Sequence, residues 1–225
     1  MATSIRPNET ALRAPRARRP AWLMLGFWIC VVIAIAVAVR RLVALARPSS
    51  GGTSLMQEVN DTFASHAALT AAHVIPAALF VLVAVAVMLS RKTHPKLEAA
   101  FFALGAMTAV TAYLMNGYAI GGWIERSAVL VFDTWFLCSM GRAFWFYLRE
   151  QPTRQREWMT RSVGILLGIA TTRPVMGIFF ATASRTHLSP HQFFGIAFWI
   201  GFTINAVVVE LWLHSNRRAQ LHRII

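Results

Sequence analysis

An all-α, polytopic transmembrane bundle of about six helices, with both termini cytoplasmic, is the fold this chain predicts, and three observations predict it. Hydrophobic residues make up 56% of the 225 and charged residues only 14%, which leaves too little polar surface to clothe a water-soluble domain of this size. Apolar runs of about 20 residues, long enough to cross the hydrocarbon core, recur along the chain. The net charge of +13 gathers on alternate connections between those runs, the distribution by which basic loops stay cytoplasmic.

Residues 1–20, with Arg, Pro and polar side chains but no apolar periodicity, read as a disordered basic cytoplasmic tail. The first apolar run, 22–39, followed by Ala44-Leu45-Ala46, imitates a signal peptide and its cleavage site. It is too long for such a segment, however, and Arg40-Arg41 stands between the run and the supposed site, so the reading is a retained first helix over 21–45. An exterior loop covers 46–65. Within it Pro48-Ser49-Ser50-Gly51-Gly52 signals a turn, and 55–63 mixes apolar and acidic residues in a way that suits the membrane interface.

A five-helix core over 66–214 follows, with runs at 66–90, 97–118, 127–148, 162–183 and 191–213, and 215–225 forms a second basic cytoplasmic tail. In the fifth run Gly164 and Gly168 make a small-xxx-small face suited to close packing. Ser189 and Pro190 read as N-cap and first-turn residue of the sixth helix, leaving His187 in the preceding loop. With the N-terminus inside, fifteen Lys and Arg fall on the cytoplasmic side and five (Arg40, Arg41, Arg47, Arg126, Arg185) on the other. The basicity is therefore a topology signal suited to anionic headgroups at the cytoplasmic face, and it argues against nucleic acid as a partner. Cys30 and Cys138 lie in separate runs with no metal or redox spacing, and read as packing residues.

Five ionisable side chains, His73, Asp133, Arg142, Arg173 and Glu210, stand inside these runs, where each costs roughly 2.5–3.5 kcal/mol and needs a partner, a wet cavity or a role. Counting residues from the helix ends at 1.5 Å each puts His73, Asp133 and Arg173 at a similar depth of about 10 Å below the outer surface, and Arg142 and Glu210 together near the inner end. Asp133 and Arg142 are nine residues apart, on opposite sides of one helix, so they do not neutralise each other. The economical assignments are Asp133 with Arg173 or with His73, and Arg142 with Glu210 as a structural ion pair. His66, Thr70 and His73 share a helical face, as do Thr203, Glu210 and His214, and both stripes are expected to face the interior. Pro174 deprives the carbonyl of Ala170 of its donor and predicts a kink beside Arg173.

Gln155-Arg156-Glu157-Trp158-Met159-Thr160-Arg161-Ser162, Thr172-Arg173, and Asn205 with Glu210 five residues later resemble the motifs of a bacterial membrane-protein family catalogued as domain of unknown function 2306. The resemblance covers about residues 66–214. It implies family-pattern roles for Arg161 and Asn205, and for His73 and His94 as the family's two helix-and-turn histidines; Gln155 stands where the family usually has histidine. What it implies is a multi-pass protein of the bacterial inner membrane, with no assigned activity.

Three classes of function suit these residues. A non-catalytic protein, either an accessory subunit or a carrier of a small ligand coupled to protons, asks least: His73 beside Asp133 suits proton exchange near neutral pH, and Arg173 suits an anion. A b-type haem protein needs two histidines at matching depth, and only His73 is clearly submerged. A metal-dependent hydrolase would draw on the outer histidines His66, His73, His187 and His191. No nucleotide loop or nucleophile elbow is present.

Overall fold

The computed structural model describes residues 20–47, 54–90 and 94–221. The tail before Pro20, the turn at Pro48–Gly52, the basic residues Arg91 and Lys92, and the last four residues lie outside these. Six helices are long and apolar enough to cross a membrane, and no strand occurs among the described residues. They comprise α1 (Ala21–Ala46), α3 (Ala67–Leu89), α4 (Pro95–Met115, continued by a 3-10 turn Asn116–Tyr118), α5 (Gly122–Leu148), the pair α6 (Pro152–Leu166) and α7 (Gly168–Thr186) acting as one span, and α8 (Pro190–Leu221). The chain is a multi-pass membrane protein.

The remaining helix, α2 (Ser54–Ser65), does not cross. Val59 and Phe63, one turn apart, turn inward: Val59 is buried against Ile120, Phe193 and Phe194, and Phe63 packs on the same cluster. The segment expected to lie along the membrane interface thus lies over one end of the bundle. That end, which also carries the 116–118 turn, is called here the Tyr118 end; the α5–α6 connection marks the opposite, Glu210 end.

α1 continues through Arg40 and Arg41, whose long stems follow the helix. Two boundaries differ from expectation in ways that matter for the site. α5 begins at Gly122, whose φ of +58° a residue with a Cβ would resist, so Glu125 lies in its first turn rather than in a loop. The fifth span starts at Pro152, ten residues before the apolar run does, and brings Arg161 inside a helix. Its break falls at Leu167, seven residues before Pro174, and helix continues through the proline. At the next connection the Ser189 N–H donates to Gln192 Oε1 as α8 starts at Pro190, and His187, at φ +53°, lies in the loop that follows α7.

Packing, not polarity, joins most of the helices. Phe80, Phe101 and Phe136, from α3, α4 and α5, meet with centroids 4.7 and 5.7 Å apart and with Met140 and Met159 in contact with the same cluster. Lipid is as apolar as these side chains, so close fit supplies the cohesion. The Gly164/Gly168 face is pressed against α8, with Val209 over the first glycine and Phe202 over the second. At the Tyr118 end Gly195 of α8 lies so near α5 that a Cβ there would stand 2.6 Å from the amide nitrogen of Glu125.

Candidate functional site

A cavity of about 250 Å3 opens between the helices in the half of the bundle nearest the Tyr118 end, and all six spans line it. Its wall is mostly apolar, with Ala77, Ala78 and Val81 of α3, Phe132 and Phe136 of α5, and Phe198 and Phe202 of α8. Into this wall project His73, Asp133 and Arg173, the three residues expected to share a depth, together with Glu125 and Arg41. His73, Asp133 and Arg173 thus line one cavity, but they do not pair as expected.

His73 is held by Thr111, with Nδ1 and Oγ1 2.9 Å apart. The hydroxyl proton of Thr111 is already directed to the carbonyls of Met107 (2.7 Å) and Thr108 (3.0 Å), so the ring nitrogen donates. In the neutral ring this assigns the proton to Nδ1 and leaves Nε2 as an acceptor. Neither Asp133 nor Arg173 is the partner of His73.

Asp133 and Arg173 do not form the expected ion pair. Oδ2 of Asp133 is buried with no hydrogen-bond partner among the described residues, and so is Nε of Arg173. The guanidinium of Arg173 reaches Met176 Sδ at 3.7 Å, a weak acceptor. The carboxylate whose charge it feels is Glu125, in the first turn of α5. Glu125 itself accepts the Gly121 N–H at 2.6 Å, the favourable place for an acidic group at a helix start. A buried polar atom without a partner costs about 1–3 kcal/mol, and two in one cavity mark groups that are unsatisfied by the protein alone.

Glu125 and Arg41 were not among the sequence candidates, because both fell outside the trimmed apolar runs. A readable signal existed for Glu125: a Gly-Gly pair at 121–122 with an acidic residue three positions on is a helix start. Arg41 forms the cover of the cavity. It donates from Nη1 to Oδ1 of Asn60 at 3.1 Å, and its guanidinium lies 3.9 Å from the ring centroid of Phe63, tying α1 to α2. Thr70, fully buried, donates to the carbonyl of Phe63 at 3.1 Å. His66 leaves the expected helical stripe, since α3 starts at Ala67, and its ring stacks 3.6 Å from that of Tyr118.

At the Glu210 end the expected Arg142–Glu210 pair is replaced. Arg161 donates from Nε to Oε1 of Glu210 at 2.5 Å and from Nη2 to Oε2 at 3.1 Å. Arg142 is exposed and lies over Phe146 and Trp158, at 5.5 and 5.3 Å. The reason is the longer α6: once Arg161 is helical it faces α8, whereas Arg142 points away from it. Thr203 and His214 are exposed, so the inward side of α8 is instead the one carrying Asn205 and Ala206. Asn205 donates to Thr171 Oγ1 (2.5 Å) and to the carbonyl of Leu167 (3.4 Å), satisfying the backbone at the break between α6 and α7. Gln155 donates to the buried Glu98 at 3.1 Å.

His94, at the start of α4, and His187 and His191 are exposed. Among the described residues no three His, Cys, Asp or Glu side chains converge as a metal would need, so the four outer histidines do not form a ligand set. A bis-histidine haem does not fit the cavity either: of the described histidines, His73 alone is in its wall.

Comparison with known proteins agrees with this architecture. A family model described as predicted membrane protein, DUF2306, matches residues 63–213, from the end of α2 through most of α8. No curated protein and no solved structure matches the chain.

Proposed function

The chain belongs to the DUF2306 family of predicted membrane proteins, and from that premise we propose that it is a non-catalytic, small-molecule-binding protein of the bacterial inner membrane, with the cavity as its binding site. One observation carries the reading: Asp133 and Arg173 each leave a buried polar atom without a partner in the wall of the same mostly apolar cavity. Pockets that bind small molecules are built this way, as apolar walls with a few convergent polar groups. The volume, about 250 Å3, is at the small end of the usual range of roughly 300–1,000 Å3, which favours a compact ligand over a two-chain lipid.

Binding fits better than passage through the bundle. Beyond Phe132, Phe136 and Ile165, the rings of Phe80 and Phe101 and the side chains of Met140 and Met159 pack without a gap of comparable size. The distribution of Lys and Arg supports an orientation with both termini and the Glu210 end cytoplasmic, facing anionic headgroups, and the cavity towards the outer side. An accessory subunit that presents a bound molecule to a partner protein suits the same geometry.

Thermal unfolding of the full chain in nanodiscs, screened against small amphipathic molecules, tests the proposal. A ligand at a hundred-fold excess over its Kd stabilises by about 2.7 kcal/mol. The expected result is stabilisation of the wild type that disappears in A77F, where a ring fills the cavity. Stabilisation of A77F equal to that of the wild type, or no binder at all, overturns it.

A further inference from the structure

The polar groups of the cavity are not one cluster but two, and their separation specifies the kind of molecule that satisfies both. Arg173 and Glu125 make the first, at the Tyr118 end, with Arg41 lining the same cavity and Arg40 adding positive potential at Arg173. Glu125 is already engaged by the Gly121 N–H, so the unsatisfied group there is a cation. Asp133 makes the second. It follows Glu125 by eight residues on the same helix, roughly 12 Å further along the axis, and the unsatisfied group there is an acceptor. Between and around them the wall is apolar, including Phe132 on α5.

Resting on the reading of this cavity as a binding site, we propose that its ligand is a single-chain amphipathic acid carrying a second, terminal hydrogen-bond donor. The oxyanion meets the unsatisfied Nε edge of the Arg173 guanidinium, and a hydroxyl or amine donates to Oδ2 of Asp133. Arginine presents a planar fork of donors that matches an oxyanion at two points. A chain with an acid alone would leave Asp133 unsatisfied, and a chain with a hydroxyl alone would leave Arg173 so. Sites built to bond a polar group discriminate strongly against analogues that lack it, because the protein's own group then stays buried and unpaired.

The test uses the full chain in nanodiscs and five probes: ω-hydroxydecanoate, ω-aminodecanoate, decanoate, decyl phosphate and decanol. One of the two ω-substituted acids is expected to bind at least ten-fold tighter than decanoate, and decanoate tighter than decanol; which of the two wins identifies the donor. Decyl phosphate against decanoate identifies the oxyanion. In D133L the ω-substituted acids and decanoate are expected to become equal while the margin of decanoate over decanol persists, and in R173Q that margin is expected to vanish. Wild-type binding of each probe keeps the two variants informative, since any that unfolds loses all probes together and is replaced by D133A or R173M. If decanoate and the ω-substituted acids bind the wild type equally, or the preference survives D133L, the ligand class is wrong although the cavity still binds. Probes that bind A77F as well as the wild type overturn the cavity reading itself.

Discussion

Arg161 holds Glu210 at two points, Nε to Oε1 at 2.5 Å and Nη2 to Oε2 at 3.1 Å, and this ion pair fastens α6 to α8. The guanidinium also lies 4.5 Å from the ring centroid of Trp158, and Arg161 is buried. Removing the carboxylate therefore strands a buried cation, a change that typically costs about 3–5 kcal/mol. The 39% exposure of the Glu210 side chain puts E210Q towards the lower end of that range. Replacing both partners, as in R161M/E210M, is expected to cost less than the sum of the single changes, because no unpaired charge remains. Unfolding of the three variants in detergent, read by tryptophan fluorescence, checks this; additive losses would mean that the two residues act independently.

How much of this was legible in the sequence follows from what hydropathy can express. Apolar runs, breakers and the bias of Lys and Arg are one-dimensional signals, and they suffice for six spans and for the depth shared by His73, Asp133 and Arg173. The pairing of charges depends on where a helix starts and on its rotation about its axis. The apolar runs stop at 39 in the first helix and start at 127 and 162 in the fourth and fifth spans, so hydropathy passes over Arg41, Glu125 and Arg161, the residues that bond Asn60, add charge at Arg173 and hold Glu210. Hydropathy alone pairs Glu210 with Arg142, because Arg161 lies just before the fifth apolar run. The helical α2 was hidden for a related reason: twelve residues of mixed polarity carry little hydropathy signal, and its fold depends on the bundle end beneath it.

The contact of Arg41 with Asn60 and Phe63 predicts a cover that is held by a few contacts. R41Q removes the cation from the ring and weakens the bond to Asn60, an exposed-site cation–π contact and a hydrogen bond each worth about 0.5–1.5 kcal/mol. A loss of about 1.5 kcal/mol raises the open population roughly ten-fold. The measurement is the rate at which a membrane-impermeant maleimide labels A77C in a background of C30S and C138S. Labelling is expected to rise several-fold to ten-fold in R41Q and in N60A, and to stay unchanged in R185Q, which removes a charge of the same sign from the last turn of α7. Equal rates in all four proteins would show that α2 does not control access.

The donor set in the cavity predicts the optical spectrum. With His73 the one histidine in the wall among the described residues, the cavity offers no second imidazole of the kind a six-coordinate b-type haem takes. Protein purified from cells grown with a haem precursor is expected to show no Soret band, and its absorbance above the aromatic range is expected to be unchanged in H73A. A Soret band that disappears in H73A would reverse the assignment.

The approach of α8 to α5 predicts a contrast between two glycines. At Gly195 a Cβ would stand 2.6 Å from the amide nitrogen of Glu125 and 2.7 Å from Cβ of Ile124. Neither neighbour is the free end of a flexible side chain, so the helices must separate. Overpacking of this kind costs typically about 1–3 kcal/mol. It also bears on the site, because Glu125 is the residue whose backbone would be pushed and whose carboxylate lines the same cavity as Arg173. At Gly26 of α1 the same added methyl meets nothing within 4 Å, and alanine there improves helix propensity by up to about 1 kcal/mol. G195A is therefore expected to lower the unfolding temperature and to weaken binding of any cavity ligand together, whereas G26A leaves binding unchanged and stability the same or higher. Thermal unfolding with and without a bound probe measures both quantities at once. A G195A protein as stable as the wild type would mean that α5 and α8 are not pressed together at this point, and that Glu125 is held in place by something other than α8.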